Sequence, residues 1–82
     1  MNKHEIDISL EQVPLEGETQ KKQVKVPARV TETLSTTVGE IAESQGISLK
    51  GKNAYVNGKP AKEDTIVSKD DTVRFTERPK SS

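Results

Sequence analysis

The amino-acid sequence predicts an α+β domain in which one short helix lies across one face of a mixed sheet of four or five strands. Three observations predict it. Apolar residues alternate with polar ones toward both ends of the chain, at Ile6, Ile8 and Leu10 and again at Val73 and Phe75, which is the period of a strand buried on one face. The period changes once, between Thr37 and Gly46, where Val38, Ile41 and Ala42 share a helical face. Asn57-Gly58 then sits between strand-like residues, and this dipeptide is the strongest short hairpin signal, because a type I′ turn needs positive φ at both central positions.

The elements follow in order. His4 to Glu11 is the first strand. Val24 to Val30 is the second, and Pro27 places it at a sheet edge or a bulge, since proline has no N–H to give to a ladder. Between them Gln12 to Gln20, with Pro14 and Gly17, makes a hairpin loop longer than the usual two to five residues. Thr37 and Glu40 have capping-box spacing at the helix start, and Gly46 supplies a left-handed stop. The helix is expected from Val38 to about Gln45, with Ile47 packing back on its last turn. Asn53 to Val56 and Lys59 to Lys62 form the hairpin around Asn57-Gly58, and Pro60 makes the shorter arm a second edge. Thr72 to Arg78 is the last strand. Residues 1–78 form one expected domain and 79–82 a flexible tail. The expected core is Ile6, Ile8, Leu10, Val24, Val26, Val30, Val38, Ile41, Ala42, Ile47, Val56, Val67, Val73 and Phe75.

A right-handed crossover makes the last strand a parallel neighbour of the first. The order strand, strand, helix, strand, short strand, strand is then the β-grasp arrangement of ubiquitin-like proteins. Thr37-Val38-Gly39-Glu40-Ile41, Val56-Asn57-Gly58-Lys59 and Asp70-Asp71-Thr72-Val73 stand in the order and spacing found in the ubiquitin-like sulfur-carrier proteins of thiamine and molybdopterin synthesis and in TGS domains. The chain resembles these families over about half its length. The resemblance implies the fold. Sulfur carriers end in Gly-Gly, whose carboxylate is adenylated and converted to a thiocarboxylate. Here the last residues are Glu77-Arg78-Pro79-Lys80-Ser81-Ser82 and the last glycine is Gly58, so the carrier chemistry is expected to carry over only if the carboxyl end is processed.

Composition narrows the function classes. Of 82 residues 29% are apolar, and the aromatics are Tyr55 and Phe75 alone, so the core is expected to be thin and aliphatic. Thirteen basic and thirteen acidic residues cancel, which weighs against broad attraction to nucleic acid or anionic membrane. Without cysteine there is neither a disulfide framework nor thiolate chemistry. Met1 to Leu10 alternate polar and apolar residues, unlike a signal peptide, and no run approaches the ~20 apolar residues of a membrane span. A cytoplasmic monomer is the expectation.

Nothing in the sequence assembles a catalytic, cofactor or metal site. His4 is the one histidine and lies beside Glu5, whereas a metal site needs several converging ligands. Glu63-Asp64 and Asp70-Asp71 lack EF-hand spacing and are read as turn residues. Ser35, Thr36 and Thr37 have no nearby base and are read as a helix entry. No phosphate-cradling glycine loop and no nucleophile elbow is present. The chain is expected not to be an enzyme.

A binding role remains. The period places Glu5, Asp7, Ser9 and Glu11 outward on the first strand, Gln23, Lys25, Pro27 and Arg29 on the second, and Thr72, Arg74, Thr76 and Arg78 on the last. A central first strand would set an acidic row between two basic rows, each cross-strand pair contributing ~0.2–1 kcal/mol. These pairs account for most of the charge, and the same face is also the candidate docking surface. Val13 and Leu15 in the first loop, with Lys25, Tyr55, Arg74 and Arg78, are the candidate partner-binding residues, and an unidentified protein is the expected partner. Lys21, Lys22, Lys25, Lys50 and Lys52 allow a second reading as a nucleic-acid-binding module. Aromatic stacking platforms are missing and acidic residues stand at 16, 18, 40 and 43, so such binding is expected to be weak.

Overall fold

The structure, a computed structural model, describes residues 4–30 and 34–78. The expected tail, 79–82, lies outside the described residues. The elements are β1 (Glu5–Val13), β2 (Gln20–Pro27), β3 (Arg29–Val30), β4 (Leu34–Thr37), α1 (Val38–Ser44), β5 (Lys52–Val56), β6 (Lys59–Ala61), β7 (Ile66–Ser68) and β8 (Thr72–Glu77). One mixed sheet of five strands has the order β2-β1-β8-β5-β6, and β3, β4 and β7 form a second, smaller sheet. β1 runs antiparallel to β2 and parallel to β8, as the crossover argument expects. The two edges of the large sheet, β2 and β6, carry Pro27 and Pro60.

The phase of the ladder explains why Pro27 is tolerated. Ala28 N–H donates to the His4 carbonyl at 2.8 Å, whereas Ser9 N–H donates away from β2, to the Asp71 carbonyl at 3.0 Å. In an antiparallel pair the residues that exchange both bonds alternate with residues that turn their backbone groups outward. With His4 and Ala28 in phase with Ile6↔Val26 and Ile8↔Val24, the odd-numbered residues of β2 face away from β1. The N–H that proline lacks is thus one that no ladder bond requires.

The helix forms because its apolar stripe and both caps agree. Val38, Ile41 and Ala42 are buried. Thr37, in extended backbone, accepts a hydrogen bond from Glu40 N–H at 3.3 Å. At the other end Ile47 N–H donates to the Ala42 carbonyl at 2.8 Å and Gly46 N–H to the Glu43 carbonyl at 3.2 Å, with Gly46 at φ +69°, which makes a Schellman stop. Ile47 packs against the core as expected. Only half of the expected capping box forms. The Glu40 carboxylate is taken instead by the Thr36 hydroxyl at 2.9 Å and by Arg29 Nη2 at 2.9 Å.

One core lies between the helix and the inner face of the large sheet. Ile6, Ile8, Leu10, Val26, Val38, Ile41, Ala42, Val67, Val73 and Phe75 are buried in it, and Val24, Ile47 and Val56 pack at its margin. Val30, expected in this core, is 59% exposed. The second strand does not continue through it: after Pro27 and Ala28 the chain leaves the large sheet, and Val30, on the outer strand β3 of the small one, pairs with Leu34 on its central strand β4. That sheet was not expected. β4 has no apolar alternation, yet Ser35 and Thr36 are buried because β3 and β7 flank them. The first hairpin also differs from expectation. β1 runs on to Val13 and β2 begins at Gln20, so Val13 is a strand residue and the loop is Pro14 to Thr19.

Candidate functional site

The face of the five-stranded sheet opposite the helix carries the residues with chemistry left to offer. Its geometry follows from register. Glu11 stands opposite Lys21 on β2 and Arg74 on β8, Arg74 stands opposite Tyr55 on β5, and Tyr55 stands opposite Pro60 on β6. Lys21, Glu11, Arg74, Tyr55 and Pro60 therefore form one row across all the strands. Strand alternation puts Leu10, Val73 and Phe75 inward, so these intervening residues face outward together.

Glu11 is the hub of the row. Arg74 Nε donates to its Oε2 at 2.8 Å, and Lys21 Nζ lies 3.7 Å from its Oε1. The Glu11 side chain is 12% exposed, against 52% for Arg74 and 71% for Lys21, so the two cations flank a sheltered carboxylate. The Arg74 hydrogen bond, with smaller help from the two positive charges, holds the Glu11 carboxyl below the usual glutamate range, against the opposing effect of desolvation.

Beside this pair Glu11, Tyr55, Asn57, Gly58, Thr72, Arg74 and Thr76 line a shallow concavity of about 630 Å³. Asn57 shapes its rim. At φ +52°, followed by Gly58 at φ +83°, it makes the expected type I′ turn. Its N–H donates to the Thr72 carbonyl at 2.8 Å and its Oδ1 accepts from Thr72 N–H at 2.9 Å, so its side chain extends the β5–β8 ladder past the turn. The surface can offer a guanidinium, hydroxyls and the edge of a half-buried tyrosine, which suits a carboxylate next to an apolar group.

The structure brings only some of the candidate residues together. Tyr55 and Arg74 are neighbours, and Val13 lies on the same face opposite Thr76. Lys25 is on that face too, but opposite Asp7 and away from the concavity. Leu15 is 56% exposed in the loop, where its N–H donates to Glu77 Oε2 at 3.3 Å. Arg78 lies just beyond β8, its N–H donating to the Gly51 carbonyl at 3.0 Å. Arg29, expected outward on the sheet, instead turns to Glu40 beside the helix, because β3 belongs to the smaller sheet. The period-2 pattern placed Glu11 in the acidic row. Its role as hub and the role of Asn57 follow from register, which the hydrophobic pattern alone does not contain.

The remaining candidate chemistry is absorbed by turns. Asp71 Oδ2 accepts from Ser68 N–H at 2.9 Å, and Asp70 takes the positive-φ position of the same turn at +69°. Thr65 Oγ1 accepts from Lys62 N–H at 2.9 Å, and Glu63 gives its carbonyl to Gly39 N–H at 2.8 Å. Among the described residues, no group of three or more His, Cys, Asp or Glu is placed to hold a metal ion, and no helix is long and apolar enough to cross a membrane. The lysines do not form one surface. Lys21, Lys22 and Lys25 line the β2 edge, while Lys52, on β5, lines a hollow with Glu18 and Glu77 at the end of the sheet. No protein-family model matches the chain, and no curated protein matches it.

Proposed function

We propose that this chain is a ubiquitin-like β-grasp domain that works as a non-catalytic protein-interaction module, with its partner docking on the open sheet face around Tyr55 and Arg74. Numbering the strands of the large sheet by appearance, their spatial order is second, first, fifth, third, fourth, with the helix connecting the second to the third. That order, with the first and last strands parallel, supports the β-grasp reading.

The observation that carries the docking reading is the cross-strand row. It sets a tyrosine beside an arginine, on a concave, polar surface. Tyrosine and arginine are the residue types that most often anchor interfaces. The alternating signs of Lys21, Glu11 and Arg74 suit a protein with a matching charge pattern better than a phosphate backbone, which Glu11 and Asp7 would repel. A nucleic-acid-binding module therefore stands second.

The test uses the full chain as bait. A partner captured by the wild type should be retained by Leu15→Ala and lost with Tyr55→Ala or Arg74→Ala, each change weakening binding by about tenfold or more. Loss with Leu15→Ala and retention with the other two would move the site to the loop. An adenylating enzyme joined to the carboxyl terminus would favour the sulfur-carrier reading. Sub-micromolar, sequence-dependent binding of short RNA or DNA at about 150 mM salt would favour the nucleic-acid reading.

A further inference from the structure

We propose that a hollow at one end of the large sheet, on the face that the helix covers elsewhere, is a subsite for a single lysine side chain of a partner. The inference goes beyond the open-face reading and uses the opposite face of the sheet. It begins from two lengths. α1 has seven residues and β1 has nine. At about 1.5 Å per helical residue and about 3.3 Å per strand residue, the helix is roughly 10 Å long and the strand roughly 30 Å. The helix therefore covers only part of the inner face. Ile6, Ile8 and Leu10 point to that face and are buried, whereas Gln12, the next residue in the same phase, is half-buried. No residue of α1 lines the hollow that begins there.

Register assembles its walls. Gln12 stands opposite Phe75 on β8, and Glu77, two residues further on, stands opposite Lys52 on β5. Paired residues share a face, as do residues two apart on one strand, so Gln12, Phe75, Glu77 and Lys52 all look the same way. The first loop folds over this end of the sheet. Pro14 and Glu18 complete the lining, and Leu15 N–H donates to Glu77 Oε2 at 3.3 Å. The floor is Phe75, the largest fully buried side chain. The volume is about 190 Å³, below the ~300–1,000 Å³ of small-molecule sites, which leaves room for one side chain.

Charge and hydrogen bonding select the occupant. Two carboxylates, Glu18 and Glu77, line the hollow with one ammonium, Lys52, so it favours a cation. The ion pairs among the described residues join Glu11 to Lys21 and Arg74, and Arg29 to Glu40. Lys52 and Glu77 stand opposite one another without closing to 4 Å, which leaves the Glu77 charge available. A side chain with an apolar stem to lay against Pro14 and Phe75 and a charge to keep near water is lysine or arginine. The carboxylate decides between them. An arginine fork calls for two carboxylate oxygens side by side, but Leu15 N–H already takes Oε2. Oε1 remains for a donor that binds at a single point, which is what an ammonium offers.

The probe is a blocked Gly-Lys-Gly peptide, titrated into the isotope-labelled full chain. Saturable shifts are expected at Gln12, Phe75 and Glu77, with the Asn57 and Gly58 signals unmoved. Glu77→Gln keeps an acceptor for the Leu15 N–H but removes the charge, and should weaken binding by about threefold to tenfold. Lys52→Gln removes the competing cation and should strengthen binding by about twofold or more, a gain that a merely structural lysine would not give. Both side chains lie outside the buried core, so the variants keep the fold. Shifts that fail to saturate by about 50 mM peptide would overturn the proposal. So would equal affinity for the same peptide with norleucine in place of lysine, equal or tighter binding of its arginine counterpart, or tighter binding of its glutamate counterpart. The open-face concavity shares no lining residue with this hollow, so failure here is separable from failure of the open-face reading.

Discussion

The Glu11–Arg74 pair should be measurable as a coupling that disappears when Glu11 is protonated. The perturbation is a double-mutant cycle of Glu11→Gln, Arg74→Gln and both together. Ion pairs between exposed side chains are typically worth ~0.2–1 kcal/mol. This one combines a 2.8 Å charge-assisted hydrogen bond with a carboxylate 12% exposed, but its arginine is half open to water, which places the expected coupling at about 0.5–1 kcal/mol. The sign of the pH dependence follows from the lowered carboxyl pKa. The folded state binds the Glu11 proton less readily than the unfolded chain does, so the pair stabilises fully above the ordinary glutamate value. That contribution is lost as pH falls through the lower, folded value. Urea unfolding of the four proteins, repeated from neutral pH down to about pH 2, reads the coupling directly. Added salt should reduce it only in part, because the contact is a short, direct hydrogen bond. A coupling below about 0.2 kcal/mol at neutral pH, or one that persists unchanged in acid, refutes the hub assigned to Glu11.

Three further outcomes test the fold that holds this face. Phe75→Ala removes the largest fully buried side chain and should cost about 3–5 kcal/mol, read as a fall in the urea midpoint large enough to populate the unfolded state in water. Gly46→Ala meets no atom within 4 Å, so its expected cost of about 1–2 kcal/mol comes only from holding an L-residue at φ +69°; a neutral result by thermal unfolding contradicts the Schellman stop. Thr37→Ala should lose about 1 kcal/mol, with amide exchange accelerating at Glu40, whose N–H the threonine caps.

Where a segment's own pattern decides its structure, the sequence was legible. The alternation of Ile6, Ile8 and Leu10, the stripe of Val38, Ile41 and Ala42, the Gly46 stop and the Asn57-Gly58 turn are local signals, and each led to the observed element. The small sheet was not legible. Ser35 and Thr36 look like a polar helix entry, and only the pairing of β4 with β3 and β7, from distant parts of the chain, buries them. Val30 was misplaced for a related reason. Its spacing from Val24 and Val26 continues the second strand's pattern, but the chain departs after Pro27, and periodicity does not show where a strand changes sheets. In the candidate site, the residue types on the open face came from the period, whereas the row needed the register of β1 against β2 and β8. A loop from Pro14 to Thr19 is long enough that turn chemistry does not set that register.

On the proposed reading, the open face contributes discrimination between partners more than affinity. On the open face Glu11 already occupies Arg74 Nε, so a partner's carboxylate there competes with an internal contact and gains little net energy from charge. Such a contact discriminates between partners more than it tightens any one of them, and Tyr55 must supply the buried area.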